Sequence, residues 1–347
     1  MYNPFIGIFK FILAILVVAI HVEPFTGDLA FYVNNCIARI AVPSFFIYSS
    51  YFLFDKLLHN HWDKKIFFQQ EKHLAKYYGI WLLLHAPIVL SRLYETSEGT
   101  LDYIWKIIQA VCLKGPYGAL WFLPATMMAI ALVYYLGKKT SPIVCFVVSF
   151  PLFLFAALET EYYVLIADFL WMKQVNNILI AIFGWLANGL TFGFFFCSIG
   201  FYIAATKNKT RSLTSDSIFA VISMVLLFIE TTLIRILKLG VSYGAMLLLI
   251  PTVYYIARVL LNLKKTSKLS VIRTAKYLQN MSLLIYPMHF AVMELLEYFF
   301  KDNKTYMEST TLQFIVVCLV TCGISAIIIH LGEQKHLKIA KLLYGKA

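Results

Sequence analysis

Charge is scarce in this chain. Lys, Arg, Asp and Glu make up 14% of the 347 residues, while apolar types make up 61% and the mean hydropathy is +0.75. A soluble globular protein carries about 25% charged and about 45–50% apolar residues. So few charges cannot cover a water-soluble surface of this size. That excludes a soluble enzyme, a secreted disulfide scaffold, a disordered chain and a nucleic-acid-binding domain, despite the formal net charge of +12. The alternation of an outer-membrane barrel is missing too. So is a removable signal peptide: the first apolar run has no basic start or small-residue cleavage site, and it contains Lys10 and His21. No P-loop, GxSxG or HExxH pattern occurs, which argues against ATP-driven transport, a hydrolase elbow and a membrane zinc protease. The six cysteines lie mostly in apolar runs and read as small buried hydrophobes. Cys318 and Cys322, four apart on one helical face, are spaced too widely for an easy disulfide. No Cys/His spacing suggests zinc, and no metal is expected.

Long apolar runs rich in Phe, Leu and Ile are what the sequence does have. They divide into ten expected transmembrane helices, roughly 4–24, 36–54, 77–94, 119–136, 141–158, 184–206, 216–236, 241–262, 278–299 and 311–332. Each is about 18–23 residues, enough to cross a hydrocarbon core of roughly 30 Å. With the N-terminus inside, nineteen Lys and Arg fall in the inner loops and tail against eight in outer segments. By the positive-inside rule both termini are cytoplasmic. The expected fold is an all-α polytopic membrane protein, one integral-membrane domain over residues 1–347. There is no linker, soluble domain or internal repeat. Two outer segments, 95–118 with an amphipathic stretch at Tyr103–Leu113 and the aromatic 159–183, are long enough to lie in the interface or fold over a cavity mouth. The inner segment 55–76 is basic and aromatic.

Ionisable groups inside apolar runs are costly and mark candidate sites. Lys10 and His21 share the first run, eleven residues apart. On a helix that is three turns plus roughly 20°, with an axial separation of about 16 Å, so both lie on one stripe. Singly, each reads equally as a snorkelling lysine or an interfacial histidine; packing alone gives no reason for both on one line. Arg39 sits a turn inside the second run and needs a carboxylate or carbonyl partner. Glu23 is one candidate, so a structural ion pair is an equal reading. Pro43, Ser44, Ser49 and Ser50 follow in a run able to bend. Trp121 falls where interfacial Trp anchors are ordinary. In the ninth run Tyr286, His289, Glu294 and Glu297 appear. His289, at mid-span, reads first as a hydrogen-bonded core residue. Glu230 and Arg235 read as structural.

Four motifs in this order resemble the membrane-bound acyltransferase-3 family: a first span with a basic residue and a histidine ten intervening residues later, then AVPSFFIYSSYFLF, ALWFLPATMM and SLLIYPMHFAV. Within that family, RIAVPSFFIYSSYFLF and GALWFLPATMM look most like the membrane half of the vancomycin-resistance serine racemases, which carry a further pyridoxal-phosphate racemase domain. The sequence in hand ends at Ala347, so racemase chemistry is not expected of it and pyridoxal phosphate is not implied. The resemblance implies transfer of an acyl group, usually acetyl, from cytoplasmic acetyl-CoA to a hydroxyl on a sugar or other envelope molecule across a bacterial cytoplasmic membrane. His21 corresponds to the family's first-span histidine. Lys10 corresponds to a basic residue that is usually arginine; lysine keeps the charge but not the bidentate fork. Where relatives often have arginines before the third span, this chain has Lys64, Lys65, Lys72, His73 and Lys76.

This implies a division of labour. Lys10 with Lys64, Lys65, Lys72 and Lys76 would bind the phosphates of acyl-CoA. His21 would act as general base or carry the acyl group itself; both remain open. Glu23, Arg39, Trp121, Tyr286 and His289 are the candidate orienting or substrate residues. The expected partners are acyl-CoA, an envelope glycan or small hydroxyl acceptor and the bilayer, with a homo-oligomer left open and nucleic acid excluded. The main rival is a transporter or flippase for a small polar molecule such as serine, without covalent chemistry. A structural envelope protein is the third class, and it leaves the Lys10–His21 stripe unexplained.

Overall fold

The computed structural model describes residues 3–116, 118–207, 212–240, 242–264, 266–333 and 337–345. Lys209, Arg211, Lys265, Lys335 and Lys346, counted above among the inner charges, lie outside the described residues. The elements in chain order are α1 (Pro4–Val22), α2 (Gly27–Tyr32), α3 (Ala41–His59), α4 (Lys64–Glu95), α5 (Thr100–Gln109), α6 (Phe122–Gly137), α7 (Pro142–Thr160), α8 (Leu170–Phe183), α9 (Phe194–Thr206), α10 (Leu213–Leu237), α11 (Leu249–Asn262), α12 (Leu269–Phe300), α13 (Lys304–Glu308), α14 (Thr310–Glu333) and α15 (Lys338–Leu342). No strand occurs among the described residues. Among the described residues nine helical segments are long and apolar enough to cross a membrane: Pro4–Val22, Gly27–His59, Lys64–Glu95, Gly118–Gly137, Pro142–Thr160, Gly189–Thr206, Leu213–Leu237, Leu269–Phe300 and Thr310–Glu333. The protein is an all-α, multi-pass membrane protein.

Local chemistry sets the helix ends. Asn3 caps α1 by accepting the Phe5 N–H at 3.1 Å, and Pro4 occupies a position where a missing N–H costs nothing. Asp63 caps α4 through the Lys65 N–H at 2.9 Å. The segment 55–76, expected as an inner loop, is therefore mostly helix: α3 runs to His59 and α4 starts at Lys64. Its lysines and glutamines are good helix formers once a cap is present.

Two further segments differ from expectation. The second span does not begin at Cys36 but at Gly27, and it passes through a π turn (Val33–Ile37) and a 3₁₀ turn (Ala38–Ile40) before α3. Pro43 thus stands in mid-span, just after the 3₁₀ turn of a continuous helical segment, where its missing N–H leaves a carbonyl one turn back without a helical donor. The expected span 241–262 is α-helical only over Leu249–Asn262, 14 residues. The cause is a pair of buried carboxylates. Glu161 accepts from Ser242 Oγ and the Gly244 N–H, both at 2.6 Å. Glu230 accepts from the Tyr162 hydroxyl and from the N–H groups of Leu247 at 2.8 Å and Leu248 at 2.9 Å. These donors are drawn to the carboxylates, which fix the segment as a loop.

The chain forms two compact units, Met1–Val42 with Val259–Ala347, and Pro43–Arg258. In the first, α1 packs along α12 and against α14, α12 packs on α14, and α15 on α14. Its core includes Leu13, Ala14, Val17 and Val18 of α1 and Leu284, Ile285 and Val292 of α12, all buried. In the second, α7 and α6 pack on α9 and α4 packs on α6. Close approach there depends on Gly200 of α9, where a Cβ would stand 2.0 Å from Ser50 Oγ and 2.5 Å from the Ile47 carbonyl oxygen of α3. Small residues of this kind let membrane helices meet backbone to backbone. Trp62 packs on Phe201 at 5.5 Å, and Phe67 stacks on Tyr134 at 4.0 Å.

The segment 95–118 contains α5, whose Leu101, Ile104, Trp105 and Ile108 form an exposed apolar face. Its polar side carries the Asp102–Lys106 pair at 2.7 Å, and the hydrogen bond from Lys106 holds the Asp102 carboxyl below the usual carboxylate range. An amphipathic helix of this pattern suits the membrane interface.

Candidate active site

Lys10 and His21 lie on one unbroken α-helix, as their spacing requires. The stripe that joins them runs over Ala14, Val17 and Val18, which are 0%, 1% and 0% exposed. It therefore faces the helices packed on α1, while Ile12 on the opposite side is exposed. Both polar residues are half-buried.

At the C-terminal end of α1, His21 meets α12. Its ring stacks on His289 with centroids 5.3 Å apart and an interplanar angle of 23°. Phe290 covers it at 4.4 Å. Tyr286 sits one turn below, its ring 6.3 Å from that of His289. Pro287, inside α12, removes one rung of the helical ladder next to this cluster. His289 is fully buried, as a core histidine would be, but it is a core residue in contact with His21. Its Nδ1 lies 3.1 Å from the Ile285 carbonyl oxygen. A carbonyl can only accept, so Nδ1 carries the proton and Nε2 presents a lone pair in the neutral ring. That Nε2 is buried and has no hydrogen-bond partner among the described residues.

The other candidates fall as follows. Glu23 is exposed and closes α1 in the left-handed conformation, φ 52°. Arg39 lies on the 3₁₀ turn that packs against α1. Its Nε donates to the Asn34 carbonyl at 3.1 Å and its Nη2 to Asn35 Oδ1 at 3.3 Å. One turn beyond the histidine pair, Val22, Met293, Glu297, Tyr306, Gln313 and Val317 line a cavity of about 10 Å³, on the scale of one water molecule. The remaining candidates belong to the second unit. Lys64, Lys65, Lys72 and Lys76 are exposed on α4, and Lys65, Lys72 and Lys76 share a face within about 40°. Trp121 is half-buried, edge-on to Trp185 at 5.8 Å and 6.2 Å from Phe46. Phe290, Asn34 and Asn35 were not marked by any sequence signal: an apolar ring and two amides carry no charge that stands out from an apolar run. Among the described residues no three His, Cys, Asp or Glu gather as a metal site.

The sequence profile described as "Acyltransferase domain", of the acyltransferase-3 family, matches residues 3–330. The chain belongs to this family. An acyltransferase-3 domain thus covers α1 through most of α14, including both histidines. Among curated relatives, it is similar to an amino-acid racemase of Enterococcus faecalis, 27% identical over 264 residues, covering 75% of this chain and 36% of that protein. It is also similar to a serine/alanine racemase of Enterococcus gallinarum, 25% identical over 347 residues, covering 97% of this chain and 47% of that protein. The chain spans less than half the length of these relatives. No solved structure matches it. Family membership makes acyl transfer from an acyl donor to an acceptor the chemistry of the domain.

Proposed function

We propose that this acyltransferase-3 domain is a membrane-bound O-acetyltransferase of the bacterial cytoplasmic membrane. It takes acetyl from cytoplasmic acetyl-CoA and delivers it to a hydroxyl of an envelope sugar or related acceptor at the outer face, working as one domain with both termini inside. The observation that carries this reading is the inward stripe of α1, with a cation at one level and an imidazole about 16 Å further along. A slender pantetheine arm can follow such a line. Lys10 holds donor phosphate in the first unit, and Lys64, Lys65, Lys72 and Lys76 are the phosphate-binding candidates of the second. His21 accepts the hydroxyl proton as the oxygen attacks the thioester carbonyl, and Arg39, on the turn packed against α1, orients substrate. The reacting step balances: the O–C bond forms, the C–S bond breaks, and the thiolate takes the proton from His21 to leave as free thiol.

The donor assignment has a direct test. Lys10→Ala is expected to weaken coenzyme A binding by about tenfold or more, the worth of one charge-assisted hydrogen bond, while Lys10→Arg retains it. Isothermal titration on purified, folded protein reads both. Unchanged affinity in Lys10→Ala would reduce Lys10 to a snorkelling anchor.

Orientation has its own test. Cys112, in the outer segment 95–118, is exposed. An impermeant maleimide is expected to label it in intact cells. In a Cys112→Ser background, a cysteine at the exposed position Lys139 should label only after the cells are opened. The reverse pattern would invert the orientation and move the donor to the wrong side.

A further inference from the structure

The second unit holds a cavity of about 460 Å³ that the acyl-transfer reading does not use. Ile143 and Phe146 of α7, Ile199 and Tyr202 of α9, and Ile250 and Tyr254 of α11 line it. α7 and α9 pack closely on each other, and α11 has no comparable packing on either among the described residues. Rings hold that spacing: Tyr202 meets Tyr254 across it at 6.4 Å, and Tyr255 beside them stacks on Phe219 of α10 at 5.1 Å. Close-packed interiors carry few voids larger than a water molecule, so a volume on the scale of a ligand pocket asks for an occupant. The walls choose its chemistry. Isoleucine and phenylalanine side chains offer water no hydrogen bond, and α7 and α9 belong to membrane-spanning segments. Ile143 is 60% exposed, so the cavity opens on the flank of α7, where hydrocarbon chains lie.

Charge indicates the other part of that occupant. Ile143 stands in the first turn of α7, and Tyr202 is about 6 Å from the end of α9. Ile199 and Ile250 lie deeper, about 10 Å from the end of α9 and about 18 Å from the end of α11. The groove therefore runs inward from the end of the unit where Lys138 and Lys139 precede Ile143 by five and four residues. Both lysines are exposed, and neither has a carboxylate partner among the described residues. Lys207, at the same end, is already paired with Asp55. We propose that this groove binds one acyl chain of an anionic phospholipid from the leaflet on the Lys138–Lys139 side, with the lipid phosphate held by those two lysines. Juxtamembrane lysines attract anionic headgroups, and a phenol such as that of Tyr202 suits the boundary between chain and headgroup. The lipid site goes beyond the acyl-transfer reading and does not depend on it.

Native mass spectrometry reads the lipid retained per chain after purified protein is equilibrated with equal amounts of phosphatidylglycerol and phosphatidylcholine carrying the same chains. One retained lipid is expected, with phosphatidylglycerol favoured about tenfold or more by the two lysines. Replacing both, Lys138→Gln with Lys139→Gln, should bring phosphatidylglycerol down to the level of phosphatidylcholine. Ile250→Trp fills the deep end of the groove and should remove most retention of both lipids. Ile143→Trp blocks the opening from an exposed position and should do the same, which keeps the test readable if Ile250→Trp does not fold. Val225→Trp, on α10 at a 53% exposed position outside the lining, is the control and should change neither quantity. No retained lipid, a dimer that carries none, retention unaltered in the folded tryptophan variants, or a phosphatidylglycerol preference that survives in the double glutamine variant would overturn the proposal.

Discussion

Replacing His21 with alanine is expected to lower acyl transfer by at least about 10²–10⁴-fold, the usual contribution of a positioned general base. Donor affinity should change little, because the proposed phosphate site at the level of Lys10 is about 16 Å away. The ring is half-buried between His289 and Phe290, so truncation costs some packing. His21→Gln, which preserves bulk and a polar end, separates the two effects: it should fold normally and remain as inactive as the alanine variant. Single-turnover kinetics with labelled donor, read beside coenzyme A binding, measures both. A His21→Gln variant that keeps full rate would remove the base from the account.

The second large effect is on stability. Arg258 of α11 and Asp216 of α10 form an ion pair in the second unit, 8% and 0% exposed, with Arg258 Nε 3.0 Å from Asp216 Oδ1 and 3.1 Å from Oδ2. Tyr254 lies beneath the guanidinium at 5.7 Å. Asp216→Ala leaves a buried cation without its carboxylate, a change that costs about 3–5 kcal/mol in comparable sites. The expected result is a sharply lowered unfolding temperature in detergent and a low yield of monodisperse protein. The double variant Asp216→Leu, Arg258→Leu removes both charges and should recover most of the loss, since an apolar replacement of a whole buried pair is often neutral. A single variant as stable as the unmodified protein would show that the arginine is solvated and the pair contributes little.

What the sequence made legible follows from what hydropathy and helical geometry can register. The first apolar run, roughly 4–24, leaves few alternatives to α1. The common stripe of Lys10 and His21 needed only the pitch of a helix. Less legible was anything that depends on a partner distant in sequence. Glu161 and Glu230 draw the backbone donors of Gly244, Leu247 and Leu248, and this shortens α11 although the residues before it are apolar enough to continue the helix. Arg39 needs a carboxylate or carbonyl partner, and the structure gives it the carbonyl of Asn34 and the amide oxygen of Asn35, two groups that nothing in the sequence singles out. A π turn placed these within reach, and no sequence period announces such a turn. His289 resembled a core histidine because burial was the only property a mid-span position conveys. Its contact with His21 arises from the packing of α1 along α12, and that contact gives the buried nitrogen a chemical neighbour.

The claim that this protein transfers an acyl group is tested most directly by incubating purified protein with radiolabelled acetyl-CoA and an envelope fraction as acceptor. The account predicts that label moves from coenzyme A into a hydroxylamine-sensitive ester on the acceptor, and that His21→Gln abolishes the transfer. Label that remains in acetyl-CoA with every acceptor, or transfer to the same extent by His21→Gln, would contradict it.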